Sequence, residues 1–462
     1  MTADGRLASS FRDPSGFLFV RSGRLYRQIN TVYRSDYDLM IGSGLYETLT
    51  SDGLLIPHVE AAIEPADPAL CYKVIEPAPV PFISYPYEWC FSQLKDAALV
   101  TLEIQKRSLE RGMSLKDGSA YNIQFLGGQP MFVDTLSFEK YREGSPWVAY
   151  RQFCQHFLAP LALMVFRDIR LSQLFRVYVD GIPLDLASRL LPRRTRFAFS
   201  LMTHIHLHAL SQKRYADKPD RHGQCGMSRL SFMGLVDSLQ TAVKKLKWKT
   251  GSTEWGDYYE RTDYSAEAFE LKRQLVGRYL DVLKPQSVWD LGANEGVFSR
   301  IASGRGMPTI AFDIDPVAVE NSYRECRAAG EANLLPLLLD LANPSPGIGW
   351  QNQERMSFLD RGPADTVLAL ALIHHLAISN NLPFDRLASF FSGCCESLII
   401  EFIPKSDPQV QRLLATREDI FPEYSQHCFE REFGVLFRID QAVKIGGSER
   451  ILYLMRRKAD RT

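Results

Sequence analysis

Apolar and polar positions along the chain follow two rhythms, and the change between them divides it. In the second half, short apolar runs at residues 287–291, 309–313, 333–340, from 364 and at 397–404 alternate with stretches of helical spacing. Such runs, bounded by turn residues, read as buried strands, and their alternation with helices predicts a doubly wound parallel sheet. Residues 264–283 predict an amphipathic helix leading into the first strand, with Tyr264 or Ser265 near its cap. Residues 1–150 instead carry alternating apolar positions with many aromatics and prolines. Within them, 16–29 hold a Ser-Gly turn between two apolar runs, the mark of a β-hairpin. Residues 36–52 and 89–111 predict helices, the second with Leu94, Ala97, Ala98, Leu102 and Ile104 at helical spacing. From 146 to about 245 the pattern is helical (147–166, 184–191, 196–212), broken by a charged turn at Leu191–Pro192–Arg193–Arg194. The expectation is an α+β front domain over 1–245 (β-rich at about 10–85, helical at about 86–245), a linker at 246–263 and an α/β domain over 264–462.

The most informative turn lies in the second half. Residues 288–302, VWDLGANEGVFSRIA, read as a strand ending near Asp290, a turn holding Gly292 and Gly296, and the start of a helix. Glycine there lets the backbone turn sharply and lets a ligand approach without a Cβ in the way. The next unit, 309–326, closes a strand at Asp313, 23 residues after Asp290. An acidic residue at that distance and at a strand end is placed to hold a ribose diol. Asp315 and Pro316 then suit the N-cap and first position of a helix.

DLGANEG followed by FDIDP resembles motif I and the acidic second motif of class I S-adenosyl-L-methionine (SAM) dependent methyltransferases. The family's glycine pattern is D-x-G-x-G-x-G; here Asn294 and Glu295 stand inside the loop and the middle glycine is missing. SAM carries no pyrophosphate, so the loop need not cradle phosphates, and the pattern is unlike the G-x-G-x-x-G of nicotinamide enzymes. The resemblance extends over about 265–462. It implies a Rossmann-like sheet closed by an antiparallel pair at 435–445 and 449–458. It places Asp340 and Leu341 after the third strand, near an adenine amine, and the pair His374–His375 after the fourth, beside the methyl group. The implied cofactor site is Asp290, Gly292, Asn294, Gly296, Asp313, Ile314, Asp340 and Leu341. All of these fall at or just beyond strand ends, where ligands of such sheets lie. His374 or His375 would act as base or orienter, because imidazole titrates near neutrality; Glu401, at the end of the fifth strand, is the alternative polar group.

Net charge is zero, so no whole-protein field favours nucleic acid or a membrane. The N-terminal residues lack an apolar core, so no signal peptide is expected, and the longest apolar run, 157–166, is too short to span a bilayer. The eight cysteines include no Cys-x-x-Cys pair, which reads as reduced thiols in a cytoplasmic protein. No metal site is expected. His204, His206 and His208 alternate and read as a packed or polar helix face rather than a ligand set, and the basic run 243–249 as a solvated linker.

A second resemblance covers about 10–245. Asp117, Asn122 and Asp134 follow the spacing of the catalytic loop and metal-binding Asp of the protein-kinase-like and aminoglycoside-phosphotransferase-like fold. In that fold the first Asp accepts a hydroxyl proton, and the Asn and second Asp hold magnesium. This chain lacks a Gly-rich loop and a Val-Ala-x-Lys strand, and Thr135–Leu136 stand where Phe-Gly would follow the second Asp. That predicts a degenerate accessory domain. The function expected is methyl transfer from SAM to a small molecule, glycan or carrier-bound metabolite, since no Asn-Pro-Pro-Tyr tetrapeptide is present. The alternatives are an NAD-dependent oxidoreductase and a non-catalytic SAM-binding or pseudokinase-like binding protein.

Overall fold

A computed structural model describes residues 5–210, 226–249, 266–415 and 418–459. Of the expected linker, 250–263 lie outside the described residues, as do Tyr264, Ser265 and residues 211 and 212. The chain forms two compact units: 1–249 together with Ile348–Arg355, and 250–347 together with 356–462. The return of Ile348–Arg355 to the first unit has no counterpart in the sequence pattern.

The first unit opens with a five-stranded antiparallel sheet of β1 (Gly5–Arg6), β2 (Gly16–Arg21), β3 (Arg24–Asn30), β4 (His58–Glu60) and β5 (Cys71–Pro77), in the order β1-β2-β3-β5-β4. The expected hairpin is β2–β3. Its two-residue turn is Ser22–Gly23 with φ of 50° and 73°, and two left-handed residues match the twist of the flanking strands. Alternation puts Phe17, Phe19, Tyr26 and Val74 in one apolar cluster, and Ile29 and Ile75 with Tyr33, Tyr37 and Leu136 in another. The single helix expected at 36–52 is instead two, Arg34–Gly42 and Leu45–Ser51, because Gly44 at φ 73° breaks the run. Helix Phe91–Glu110 buries Leu94, Ala97, Ala98, Leu102, Ile104 and Leu109 completely, and the Gln93 side chain accepts from the Cys90 amide at its start. Two small antiparallel pairs follow: β6 (Met113–Leu115) with β9 (Phe138–Lys140), enclosing the hairpin of β7 (Ile123–Leu126) with β8 (Gln129–Phe132). The rest of the unit is helical. His204 bonds Tyr150 and Ser238, His206 lies between Ser188 and Thr195, and His208 stacks on Tyr150, so these imidazoles serve packing.

The second unit is a seven-stranded sheet of β10 (Val288–Leu291), β11 (Thr309–Asp313), β12 (Leu334–Leu338), β13 (Ala364–Ala369), β14 (Cys395–Phe402), β15 (Phe437–Lys444) and β16 (Ile451–Arg457). The order is β12-β11-β10-β13-β14-β16-β15; the first five are parallel, and β16 pairs antiparallel with both β14 and β15. The chain leaves β10 in one direction and returns on its other side as β13, so the sheet has its switch point between them. The expected antiparallel pair is present but shorter than read, because helix Gln426–Leu436 runs into β15. The third strand stops at Leu338, leaving Asp340 in the following loop. Asp315 caps helix Pro316–Ala329 through the Val317 amide at 2.8 Å. Leu275, Val276, Tyr279 and Leu280 of helix Ala266–Leu283 pack on Val288, Leu368 and Ile399 of the sheet. Among the described residues no helix is long and apolar enough to cross a membrane.

Candidate cofactor cavity

A cavity of about 400 Å³ opens at the carboxyl ends of the strands on the β10/β13 side of the sheet. Asp290, Gly292 and Asn294 from the β10 turn line it, with Asp313 and Ile314 after β11, Asp340 and Leu341 after β12, and Ala371, Leu372 and His375 after β13. Four successive strand ends therefore contribute to one wall, as expected where a doubly wound sheet reverses.

The turn after β10 has a built geometry. Gly292 sits at φ 78°, and a Cβ there would meet Leu372 Cδ1 at 3.2 Å across the cavity wall. Asn294 adopts φ 50°, which asparagine tolerates better than most side chains. Its amide donates to Asp313 Oδ2 at 2.7 Å, and the Asp315 amide donates to Oδ1 at 2.8 Å. Asp313 thus ties the two turns together, with the Ile314 amide as a further donor to its carboxylate. Glu295 turns away: its carboxylate accepts from Asn321 at 2.9 Å and it is not part of the cavity wall. The family's middle glycine falls on Asn294, whose left-handed backbone keeps the turn without one. Gly296, expected at the cofactor, also stands outside the wall. A Cβ there would meet Ser322 Oγ at 3.1 Å, so it serves the turn and helix packing at φ 83°.

Burial raises the carboxylates. Asp290, 2% exposed, is pushed up to about 7, with the Ser299 hydroxyl donating at 2.6 Å and the charge of Lys272 opposing the rise. Asp313 is raised to about 6, burial outweighing the amides that stabilise its anion. Ile314, 59% exposed, offers an apolar face beside it. The Asp340 carboxylate lines the cavity while accepting from the Ala342 amide at 2.9 Å.

The structure separates the three catalytic candidates. His375 lines the cavity and is lowered to about 4 by burial, so its ring is neutral at neutral pH. His374 is 1% exposed and outside the wall; its ring centroid lies 4.0 Å from that of His375, and its Nδ1 is buried without a hydrogen-bond partner. Glu401 is also outside the wall. Its Oε2 accepts from Lys272 Nζ at 2.7 Å and from the Ala371 amide at 2.8 Å, and its side chain is fully buried. Ala371 is held at φ 50°, a conformation alanine rarely takes, and Glu401 fixes its amide there. Sequence reasoning missed Lys272 and Ala371. A lysine on an amphipathic helix reads as solvent-facing, and only the tertiary position of Glu401 shows otherwise.

In the first unit, Asp117, Asn122 and Asp134 do converge. Asn122 and Gln152 bond the Asp117 carboxylate, Asn122 Nδ2 donates to Ser137 Oγ at 3.2 Å, and Ser137 bonds Asp134. Arg27 of β3 pairs with Asp134. Burial alone would raise Asp134, but the charge of Arg27 holds it below the usual carboxylate range. Asp117 is raised, by burial first and then by Asp134. Arg27 thus stands on the third strand, where a kinase has its phosphate-binding lysine. The sequence search for Val-Ala-x-Lys passed over it. The β1–β2 connection, LASSFRDPS, has no glycine; Arg12 within it forms a bidentate contact with buried Glu354, and Arg355 stacks 4.3 Å over Tyr121. The cluster is satisfied by the chain's own residues.

Strand order, register and a cavity at the switch point define the second unit as a class I methyltransferase fold; the first unit is α+β and resembles the kinase-like fold in the convergence of Asp117, Asn122 and Asp134. The chain belongs to the same protein family as nodulation protein NoeA of Rhizobium meliloti (strain 1021), to which it is 36% identical over 463 residues, 98% of this chain and 96% of that protein. It is also similar to the O-antigen chain terminator bifunctional methyltransferase/kinase WbdD of Escherichia coli, 26% identical over 184 residues that span 38% of this chain and 24% of WbdD. Among solved structures, magnesium protoporphyrin IX methyltransferase from Synechocystis PCC 6803 with bound SAH is 18% identical, with a TM-score of 0.31 over 44% of this chain and 93% of that chain. A WbdD structure gives 16% and 0.30 over 45% of this chain and 43% of its own. No family model matches the chain.

Proposed function

We propose that the second unit is a SAM-dependent methyltransferase acting on a small molecule, a glycan or a carrier-bound metabolite. The observation that carries this reading is the convergence of Asp290, Gly292, Asp313, Ile314, Asp340 and His375 on one cavity beyond four strand ends. Gly292 lines the cavity, and a Cβ there would press on Leu372 in the same wall. Asp313, a carboxylate at the β11 end that lines the cavity, fits a ribose diol. Ile314 fits one face of an adenine ring. Asp290 at the β10 end fits the positively charged methionine portion. When bound, SAM supplies a methyl group already activated by its sulfonium. What remains for the protein is to position an acceptor and accommodate a proton, and positioning supplies most of the effect. His375 is the cavity's neutral imidazole and the group placed to take that proton; Glu401 acts through Ala371 and Lys272 as a positioning residue. The methyltransferase/kinase WbdD, similar over 38% of this chain, supports the reading.

Asp313→Asn retains one acceptor and much of the turn but removes the charge. SAM affinity is expected to fall by about 1–3 kcal/mol, roughly 5- to 150-fold. Binding unchanged within twofold would remove the diol assignment. A second expectation follows from Asp290. At about 7 it is half protonated at neutral pH. A cationic ligand stabilises its anion, so binding should release a fraction of a proton at pH 7. Calorimetry in buffers of different ionisation enthalpy reads that number, and proton uptake would contradict the placement. The acid limb of SAM affinity should likewise appear as pH falls through about 6, where Asp313 loses its charge. His375, already neutral, adds no step between pH 5 and 8.

A further inference from the structure

Residues 193–199 of the first unit, RRTRFAF, present charge and aromatic rings together. Arg193, Arg194 and Arg196 are exposed; Phe197 is 91% exposed and Phe199 82%. Two phenyl rings this bare within three residues differ from the single apolar residues scattered over any surface. The turn that carries them is built. Thr195 between the arginines is 1% exposed; its hydroxyl donates to the Pro192 carbonyl at 2.7 Å and lies 2.9 Å from His206 Nε2. The Ala198 amide closes the turn on the Thr195 carbonyl, and the Arg194 guanidinium lies over Phe166 at 5.6 Å. The helix that follows exposes Leu207 (47%) and Leu210 (64%) near its end.

We propose that this surface docks the protein on an anionic lipid bilayer. Phenyl rings and leucines partition into the boundary between headgroups and acyl chains, while arginines remain at headgroup level and are attracted by anionic lipid. Self-association fits the charges less well: a two-fold dimer through this patch would set three arginines against three arginines. Single-stranded nucleic acid would stack on the rings, but Leu207 and Leu210 offer it no stacking face. With zero net charge on the chain, the attraction is local and reversible. Each arginine near the surface is expected to contribute about fivefold to partitioning at low salt.

The test is co-sedimentation of the full chain with vesicles of phosphatidylcholine alone and of phosphatidylcholine mixed with phosphatidylglycerol. Binding to the mixed vesicles only, weakened by salt, is expected. Two variants, Phe197→Ser/Phe199→Ser and Arg193→Gln/Arg194→Gln/Arg196→Gln, should each lower partitioning at least about tenfold, with thermal melting and SAM affinity unchanged. These residues lie far from the cofactor cavity in sequence and belong to the other unit, so failure of vesicle binding would leave the methyltransferase reading standing. Wild-type protein remaining in the supernatant with both vesicles overturns the proposal. So does equal binding by wild type and both variants. A change in oligomeric mass, or loss of binding to single-stranded oligonucleotide, without any vesicle binding would reassign the patch to a protein or nucleic-acid partner and overturn it equally.

Discussion

Gly292→Val is expected to abolish cofactor binding. Residue 292 sits at φ 78°, where a β-branched side chain is a genuine outlier and costs about 1–3 kcal/mol of backbone strain. Its Cβ would stand 3.2 Å from Leu372 Cδ1, and its two methyls would enter the space that the turn leaves clear. SAM affinity should drop by roughly a hundredfold or more, which corresponds to about 3 kcal/mol. Gly292→Ala, with no branch, should lose less and serves as the control for folding. If the valine variant melts near the wild type and binds SAM within threefold of it, the wall between Gly292 and Leu372 is not where the cofactor lies.

Glu401→Ala is expected to have the largest effect on stability. The side chains of Lys272 and Glu401 are 3% and 0% exposed, with Arg450 Nη1 at 3.9 Å and a second buried pair, Arg450–Asp407, beyond it. Removing the carboxylate strands the Lys272 charge in the interior and deprives the Ala371 amide of its acceptor. Breaking a buried pair in this way costs about 3–5 kcal/mol. Lys272→Met/Glu401→Gln removes both charges while retaining an acceptor for Ala371, and should be less destabilised than the sum of Lys272→Met and Glu401→Gln alone. Denaturant titration of the three variants measures this; simple additivity of the single losses would mean that the two residues do not act as a pair.

The second unit was legible because its signal is repeated. Each apolar run ending in Asp290, Asp313 or the His374–His375 pair is weak by itself, but their order reproduces one sheet, and the sheet's switch point brings the ends together. What the sequence could not show were contacts set by residues far apart. Lys272 and Glu401 are 129 residues apart, and neither reads as buried from its neighbours. The division within the His pair has the same origin: both follow β13, and only His375 lines the cavity. In the first unit, Asp117, Asn122 and Asp134 were readable through the resemblance to a kinase-like catalytic loop, whereas Arg27 was not, because an arginine in a hairpin strand carries no signature. The Ile348–Arg355 segment was invisible for a related reason. Its Glu354 is paired with Arg12, 342 residues earlier.

The central claim is that the cavity at the β10/β13 switch point takes SAM. Titration calorimetry of the full chain with SAM and, separately, with NAD tests it most directly. Saturable binding of one SAM per chain is expected, lost in Gly292→Val, with no heat from NAD. Saturable binding of NAD with none of SAM would contradict it.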